Sequence, residues 1–184
     1  MRVLAGALKG KRLVTPRGTT TRPTADQVRL ALLDTLTPYL PGARMLDLFA
    51  GAGGVGFEAL SRGAAHATFV ERDARAVAAL RANVETLGVG AQVRVERLEV
   101  RAGLERLARD GAAFELVFLD PPYEDDVLAP ALERLAALPL VTPGGLVVAQ
   151  HLTKRPPEAR VGPLAAFRTR RFGETTLTFF RADG

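Results

Sequence analysis

From Met45 to Gln150, short apolar runs alternate with longer amphipathic stretches. The runs at residues 45–49, 67–71, 92–96, 114–119 and 145–150 have strand length. The stretches between them predict helices over residues 55–62, 74–87, 100–109 and 126–138. Asp73 suits the N-cap of the second, Gly88 its stop, and Gly111 the stop of the third. Residues 165–172 and 174–181 read as an antiparallel pair around Phe172-Gly173-Glu174. Strand–helix alternation with a late hairpin predicts an α/β, Rossmann-like fold: a doubly wound, mostly parallel seven-stranded sheet.

The N-terminal pattern differs. Residues 2–6 and 11–15 read as two short strands of a basic hairpin around Leu8-Lys9-Gly10. A loop rich in Thr, Arg, Pro and Gly follows, and Thr24 suits the N-cap of a helix over residues 25–36. Val28, Leu32, Leu33 and Leu36 give that helix an apolar stripe. The expected division is a small appendage, residues 1–40, on a main domain, residues 41–184.

Two motifs carry chemistry. In the first, an apolar strand ends at Asp47-Leu48-Phe49, and Gly51, Gly53 and Gly56 fit G-x-G-x-x-G. Glycines there allow a tight turn and close approach of a ligand to the backbone. The next strand ends at Glu71, placed to accept hydrogen bonds from a ribose diol. The pattern alone fits a dinucleotide oxidoreductase nearly as well. Asp47, four residues before the first glycine, tilts the reading towards S-adenosylmethionine, which has no pyrophosphate to accommodate.

The second motif is Asp120-Pro121-Pro122-Tyr123, at the end of the fourth strand. A base amine is a poor nucleophile because its lone pair is delocalised into the ring. Hydrogen bonds from the amine to the Asp120 carboxylate and the Pro121 carbonyl would favour a pyramidal nitrogen and stabilise developing positive charge. Pro121 and Pro122 stiffen the loop and offer carbonyls without competing N–H groups. The Tyr123 ring can stack on an extruded base. Strands one and four flank the switch point of a doubly wound sheet, so both motifs converge on one crevice. Together they predict methylation of an exocyclic base amine.

Charge bears on the substrate. The net +5 is unevenly spread: residues 1–29 carry +6, residues 150–172 carry +5 and residues 30–149 carry −5. Two basic ends flanking an acidic body suit a gripped polyanion. The chain has no Cys, and His66 and His151 are far apart, so no metal is expected; His151 is expected to be solvated. There is no apolar run long enough to span a membrane and no signal-like N-terminus, so a soluble cytoplasmic protein is expected.

These residues resemble the small bacterial methyltransferases of the RsmD type, which modify the 2-amino group of a guanine in 16S ribosomal RNA. The resemblance runs through Lys9-Gly10-Lys11-Arg12-Leu13, Arg22-Pro23-Thr24-Ala25-Asp26-Gln27-Val28-Arg29, the glycine loop, Val70-Glu71 and Leu119–Tyr123. It implies a class I methyltransferase using S-adenosylmethionine and no metal. Asp47, Phe49, Ala50, Gly51, Gly53, Gly56, Glu71, Arg72, Glu99 and Asp120 would hold the cofactor. Asp120, Pro121, Pro122 and Tyr123 would hold the target amine. Lys9, Lys11, Arg12, Arg22, Thr24 and Arg29 would contact RNA. The implied partner is 16S rRNA within a 30S subunit or late assembly particle, met by a monomer away from membranes. The alternative is a DNA methyltransferase acting on adenine N6 or cytosine N4. A basic RNA-binding module with a relic fold is a third reading, disfavoured by the intact Asp47, Asp120 and Tyr123. Leu30 stands where the family usually has Glu, and Glu124, Asp125 and Asp126 follow the tyrosine.

Overall fold

Each predicted apolar run is a strand of one sheet in the computed structural model, which describes residues 1–17, 23–124 and 126–184. The elements are α1 (Pro23–Leu36), β1 (Arg44–Leu48), α2 (Gly54–Ser61), β2 (His66–Val70), α3 (Ala74–Leu87), β3 (Val93–Glu96), α4 (Val100–Arg109), β4 (Phe114–Leu119), α5 (Leu128–Ala136), β5 (Val141–Leu152), β6 (Arg160–Val161), β7 (Leu164–Phe172) and β8 (Thr175–Ala182). Their order in the sheet is β3-β2-β1-β4-β5-β8-β7-β6. Neighbours from β3 to β5 are parallel, and β8, β7 and β6 add on antiparallel. The seven expected strands are present, and two-residue β6 extends the hairpin edge. The chain winds outward from β1 to β3 and then returns to β4 beside β1. That reversal opens a crevice at the carboxyl ends of β1 and β4.

Local chemistry sets the boundaries. The Asp73 carboxylate accepts from Arg75 N at 2.7 Å and Ala76 N at 3.1 Å, and Gly88 closes α3 at φ 68°. β1, β2 and β4 are largely buried on both faces, whereas β3 at the sheet edge is half-buried. One face packs against α1, α2 and α3, the other against α4 and α5. Among the described residues no helix is long and apolar enough to cross a membrane.

The structure departs from expectation in four places. β5 begins at Val141, earlier than expected: Val141 pairs with Phe114 and Leu146 with Leu116, and Thr142-Pro143-Gly144-Gly145 bulge out of the ladder between them. Its extension past Gln150 buries His151, whose Nε2 lies 2.8 Å from Thr178 Oγ1, so this histidine is not solvated. Helix α1 begins at Pro23, which puts Thr24 inside the first turn instead of before it. Arg22 and the side chain of Thr24 lie outside the described residues.

The fourth is the N-terminal hairpin, which keeps only one isolated bridge, Arg2 to Arg12. Hydrogen bonds from Val3 N to Lys11 O at 3.0 Å, Gly10 N to Val3 O at 2.8 Å and Leu13 N to Met1 O at 2.8 Å still join its two arms, while the N–H groups of Leu4, Ala5, Ala7, Leu8 and Val14 turn to the main domain. Buried Glu58 accepts from Leu4 N and Ala5 N, both at 2.8 Å. Ser61 Oγ accepts from Leu8 N at 2.9 Å, and Ser61 O accepts from Ala7 N at 2.7 Å. Asn83 pairs both ways with the Val14 backbone, at 2.7 and 3.0 Å. Gly6 makes this approach possible: at φ 81°, an added Cβ would fall 1.9 Å from Ser61 O. Val3 and Leu13 share a core with Phe57, Phe69 and the α1 stripe, so the hairpin is fixed relative to the crevice.

Candidate active site

The crevice holds a cavity of about 820 Å³. Both motifs contribute to its lining: Phe49 and Glu71 from one, with Arg72 and Glu99 beside them, and Asp120, Pro121, Pro122 and Tyr123 from the other. Ala25 and Val28 of α1 also line it, as do Gln150 and Leu152 at the end of β5 and Phe172–Thr175 at the β7–β8 turn.

Phe49 adopts φ 60°, a left-handed conformation costly for a bulky residue. It turns the chain sharply from β1 into the glycine loop. Gly51 follows at φ 57°, and an added Cβ there would meet open space. Gly56 is required for packing, because its Cβ would lie 2.3 Å from the Phe69 ring. Asp47 does not line the cavity; it is buried behind the loop, where Oδ2 accepts from Gly56 N at 3.1 Å. The Glu71 carboxylate accepts from Gly51 N and Asp73 N, both at 2.8 Å, so it joins the loop to the start of α3. Ala50 accepts from Gly53 N at 2.9 Å within the loop. Glu99 caps α4, accepting from Arg101 N at 3.0 Å and Ala102 N at 3.4 Å.

Carboxyl groups gather at and behind the floor, where burial disfavours their charged form. Burial lifts the Asp120 carboxyl from an ordinary 3.8 to about 7. Burial also pushes Asp47 well above the usual carboxylate range; the Gly56 hydrogen bond opposes this, and repulsion from Asp120 and Glu71 adds to it. The aromatic beside Asp120 is fixed at its hydroxyl. Gln150 Nε2 donates to Tyr123 Oη at 3.2 Å, and Thr175 Oγ1 lies 3.1 Å away. A ring held at its far end presents a constant face.

The expected RNA contacts separate. Lys9, Lys11 and Arg12 are exposed on the hairpin. Arg29 is only 6% exposed; Nη2 donates to Arg2 O at 2.9 Å and Asp26 Oδ1 at 3.1 Å, joining α1 to the hairpin. The sequence reading missed the α1 wall, the Tyr123 tether and the Glu58–Ser61–Asn83 anchor. The available signal for the anchor was a pair of polar residues, Glu58 and Ser61, three apart on an otherwise apolar helix.

The family described as Conserved hypothetical protein 95 matches residues 1–181. YlbH of Bacillus subtilis is 36% identical over 184 residues, covering 100% of both chains. Ribosomal RNA small subunit methyltransferase D of Haemophilus influenzae is 33% identical over 160 residues, covering 85% of this chain and 81% of that one. The fold matches a hypothetical protein of Thermus thermophilus, TTHA0928, with a TM-score of 0.84 and 35% identity, over 100% of this chain and 99% of that one. Family, relatives and fold agree along essentially the whole chain, and it belongs to the Conserved hypothetical protein 95 family, the RsmD-type rRNA methyltransferases of class I, S-adenosylmethionine-dependent fold.

Proposed function

We propose that this protein methylates the exocyclic N2 amine of a guanine in 16S rRNA, within a 30S subunit or late assembly particle, as a cytoplasmic monomer. The observation that carries the reading is one cavity lined both by Glu71 and Phe49 and by Asp120–Tyr123. S-adenosylmethionine, when bound, supplies an electrophilic methyl group on a positively charged sulfur. The acids support that fit: Asp120 and Glu71 both disfavour a charge on Asp47, and a cluster of carboxyls this close favours a cationic ligand and opposes a pyrophosphate.

Glu71 is proposed to hold the ribose, Phe49 and Glu99 to bound the adenine end, and Asp47 to brace the loop of Ala50, Gly51, Gly53 and Gly56. Arg72 completes this side. On the substrate side, Asp120 and the Pro121 carbonyl accept hydrogen bonds from the guanine amine. They hold its lone pair towards the methyl group and stabilise the positive charge developing on nitrogen. Pro122 keeps the loop rigid, and Tyr123 stacks on the base. Residues 1–40 serve the domain of residues 41–184 as an RNA-contacting appendage through Lys9, Lys11 and Arg12.

Asp120→Ala tests the assignment. Methyl transfer to ribosomal RNA should fall by a factor on the order of 10² or more, with RNA binding little changed. Transfer near the parent rate would remove Asp120 from the mechanism.

A further inference from the structure

Beyond the hairpin, residues 150–172 form the second basic segment; Arg168 is exposed within β7, away from the turn, and the other five cations divide by position. Arg160 is closed by Asp183 at 2.9 Å. Arg170 turns inward, donating to Ala31 O at 3.2 Å and Thr35 Oγ1 at 2.9 Å, and so ties β7 to α1. Lys154, Arg155 and Arg171 are exposed and have no carboxylate partner among the described residues.

None of the three lines the cavity, but each stands within three residues of one that does. The β7–β8 turn contributes Phe172, Gly173, Glu174 and Thr175 to the lining. The segment after β5 is pinned to that turn: Thr153 N donates to Glu174 O at 2.7 Å, and Thr153 Oγ1 to Gly173 O at 3.0 Å. Arg155 N donates to Leu152 O at 2.9 Å, which keeps this segment in a tight turn. Arg171 Nε donates to Gly173 O at 3.0 Å. The segment bearing Lys154 and Arg155 and the strand end bearing Arg171 are therefore held together at the turn that lines the cavity.

The Tyr123 loop, also in the lining, is followed by exposed Glu124 and Asp126. A phosphate backbone passing over those acids would be repelled, whereas one following the β7–β8 turn meets three cations with no carboxylate partner among the described residues. Glu174 and Glu158 are the acids in the sequence on this basic side, and Glu174 is itself part of the cavity lining.

We propose that Lys154, Arg155 and Arg171 form a phosphate-contacting rim that carries the RNA strand flanking the target nucleotide past the cavity mouth. The proposal rests on the ribosomal RNA reading above. The strand runs along the β7–β8 side, and the Tyr123 side is left to the base.

The test compares two triple variants of equal charge change. One is Lys154→Ala, Arg155→Ala, Arg171→Ala. The other is Arg75→Ala, Arg81→Ala, Arg109→Ala, exposed positions on α3 and α4 outside the cavity lining. Binding of a ribosomal RNA fragment is measured against salt, with S-adenosylmethionine affinity as the folding check. For three single-strand phosphate contacts, the rim variant should lose on the order of tenfold or more in RNA affinity, and its log–log salt slope should flatten by about 2. The α3–α4 variant should keep the parent slope. Equal slope changes in both variants would reduce the effect to net charge and overturn the rim; so would a rim variant with the parent slope. If the parent methylates ribosomal RNA and the rim variant keeps the parent slope, only the rim fails. If the parent methylates duplex DNA and leaves ribosomal RNA untouched, the underlying reading fails and the rim's assignment to RNA fails with it.

Discussion

Asp120→Asn should remove methyl transfer and stabilise the protein at alkaline pH. The parent carboxyl is lifted by burial from 3.8 to about 7, so the folded state binds this proton more tightly than the unfolded chain. The sign follows from linkage: between these two values the folded state holds more protons, and stability falls as pH rises. The full interval corresponds to about 4 kcal/mol. Asp120 keeps partial exposure to the cavity, where water screens the charge, so about 2 kcal/mol is the expected effect. Asn keeps the shape without the charge. It also relieves Asp47, which feels the Asp120 charge, and this acts in the same direction. Urea unfolding at a series of pH values is the assay. The advantage of Asp120→Asn over the parent should be small near pH 4, grow towards pH 7 and level off above it. In a protein of this size about 2 kcal/mol appears as roughly 4–8 °C in Tm. An advantage independent of pH, or a loss of stability at pH 8, would refute the reasoning.

Other perturbations separate the remaining parts. The free enzyme's kcat/KM should rise with pH through about 7 and then level off, as the Asp120 carboxylate becomes the major form; a flat profile from pH 5 to 9 would exclude it as the ionising group. Tyr123→Phe and the pair Gln150→Leu with Thr175→Val should each lower kcat by up to about tenfold, and combining them should add little, because both remove one tether. Additive losses would show that the hydroxyl and its partners act separately. Gly6→Ala should destabilise by roughly 2–3 kcal/mol or more, whereas Gly10→Ala, at the same φ of 81° but facing open space, should cost about 1 kcal/mol. Equal melting temperatures for the two would remove the Ser61 contact as the cause. Neutralising Lys9, Lys11 and Arg12 should flatten the salt dependence of RNA binding by about 2 and leave cofactor affinity unchanged. A slope equal to the parent's would discard the hairpin as an RNA contact.

What the sequence made legible follows from how local each cause is. The boundaries of α3, α4 and β4 agree with expectation because their caps, stops and apolar runs lie within a few residues. The crevice was readable because two motifs at the ends of β1 and β4 must meet once the sheet is doubly wound. The early start of β5 was hidden because Pro143-Gly144-Gly145 ordinarily breaks a strand, whereas here it bulges out of the ladder between residues paired with β4. The hairpin is anchored by partners more than fifty residues away, Glu58 and Ser61, which no local pattern reveals. Arg29, expected to contact RNA, is instead covered by the hairpin, which helix periodicity does not show. The Tyr123 tether needed the pairing of β5 with β8, which brings Gln150 and Thr175 to the same ring.

The measurement that bears most directly on the central claim is the identity of the product. Labelled S-adenosylmethionine would be offered with 30S particles or their precursors, naked ribosomal RNA and duplex DNA in parallel, followed by nucleoside digestion. The expected result is N2-methylguanosine from the ribosomal substrate and no label in DNA. Methylated adenine or cytosine from DNA, with RNA inert, would keep the chemistry at Asp120 and contradict the substrate.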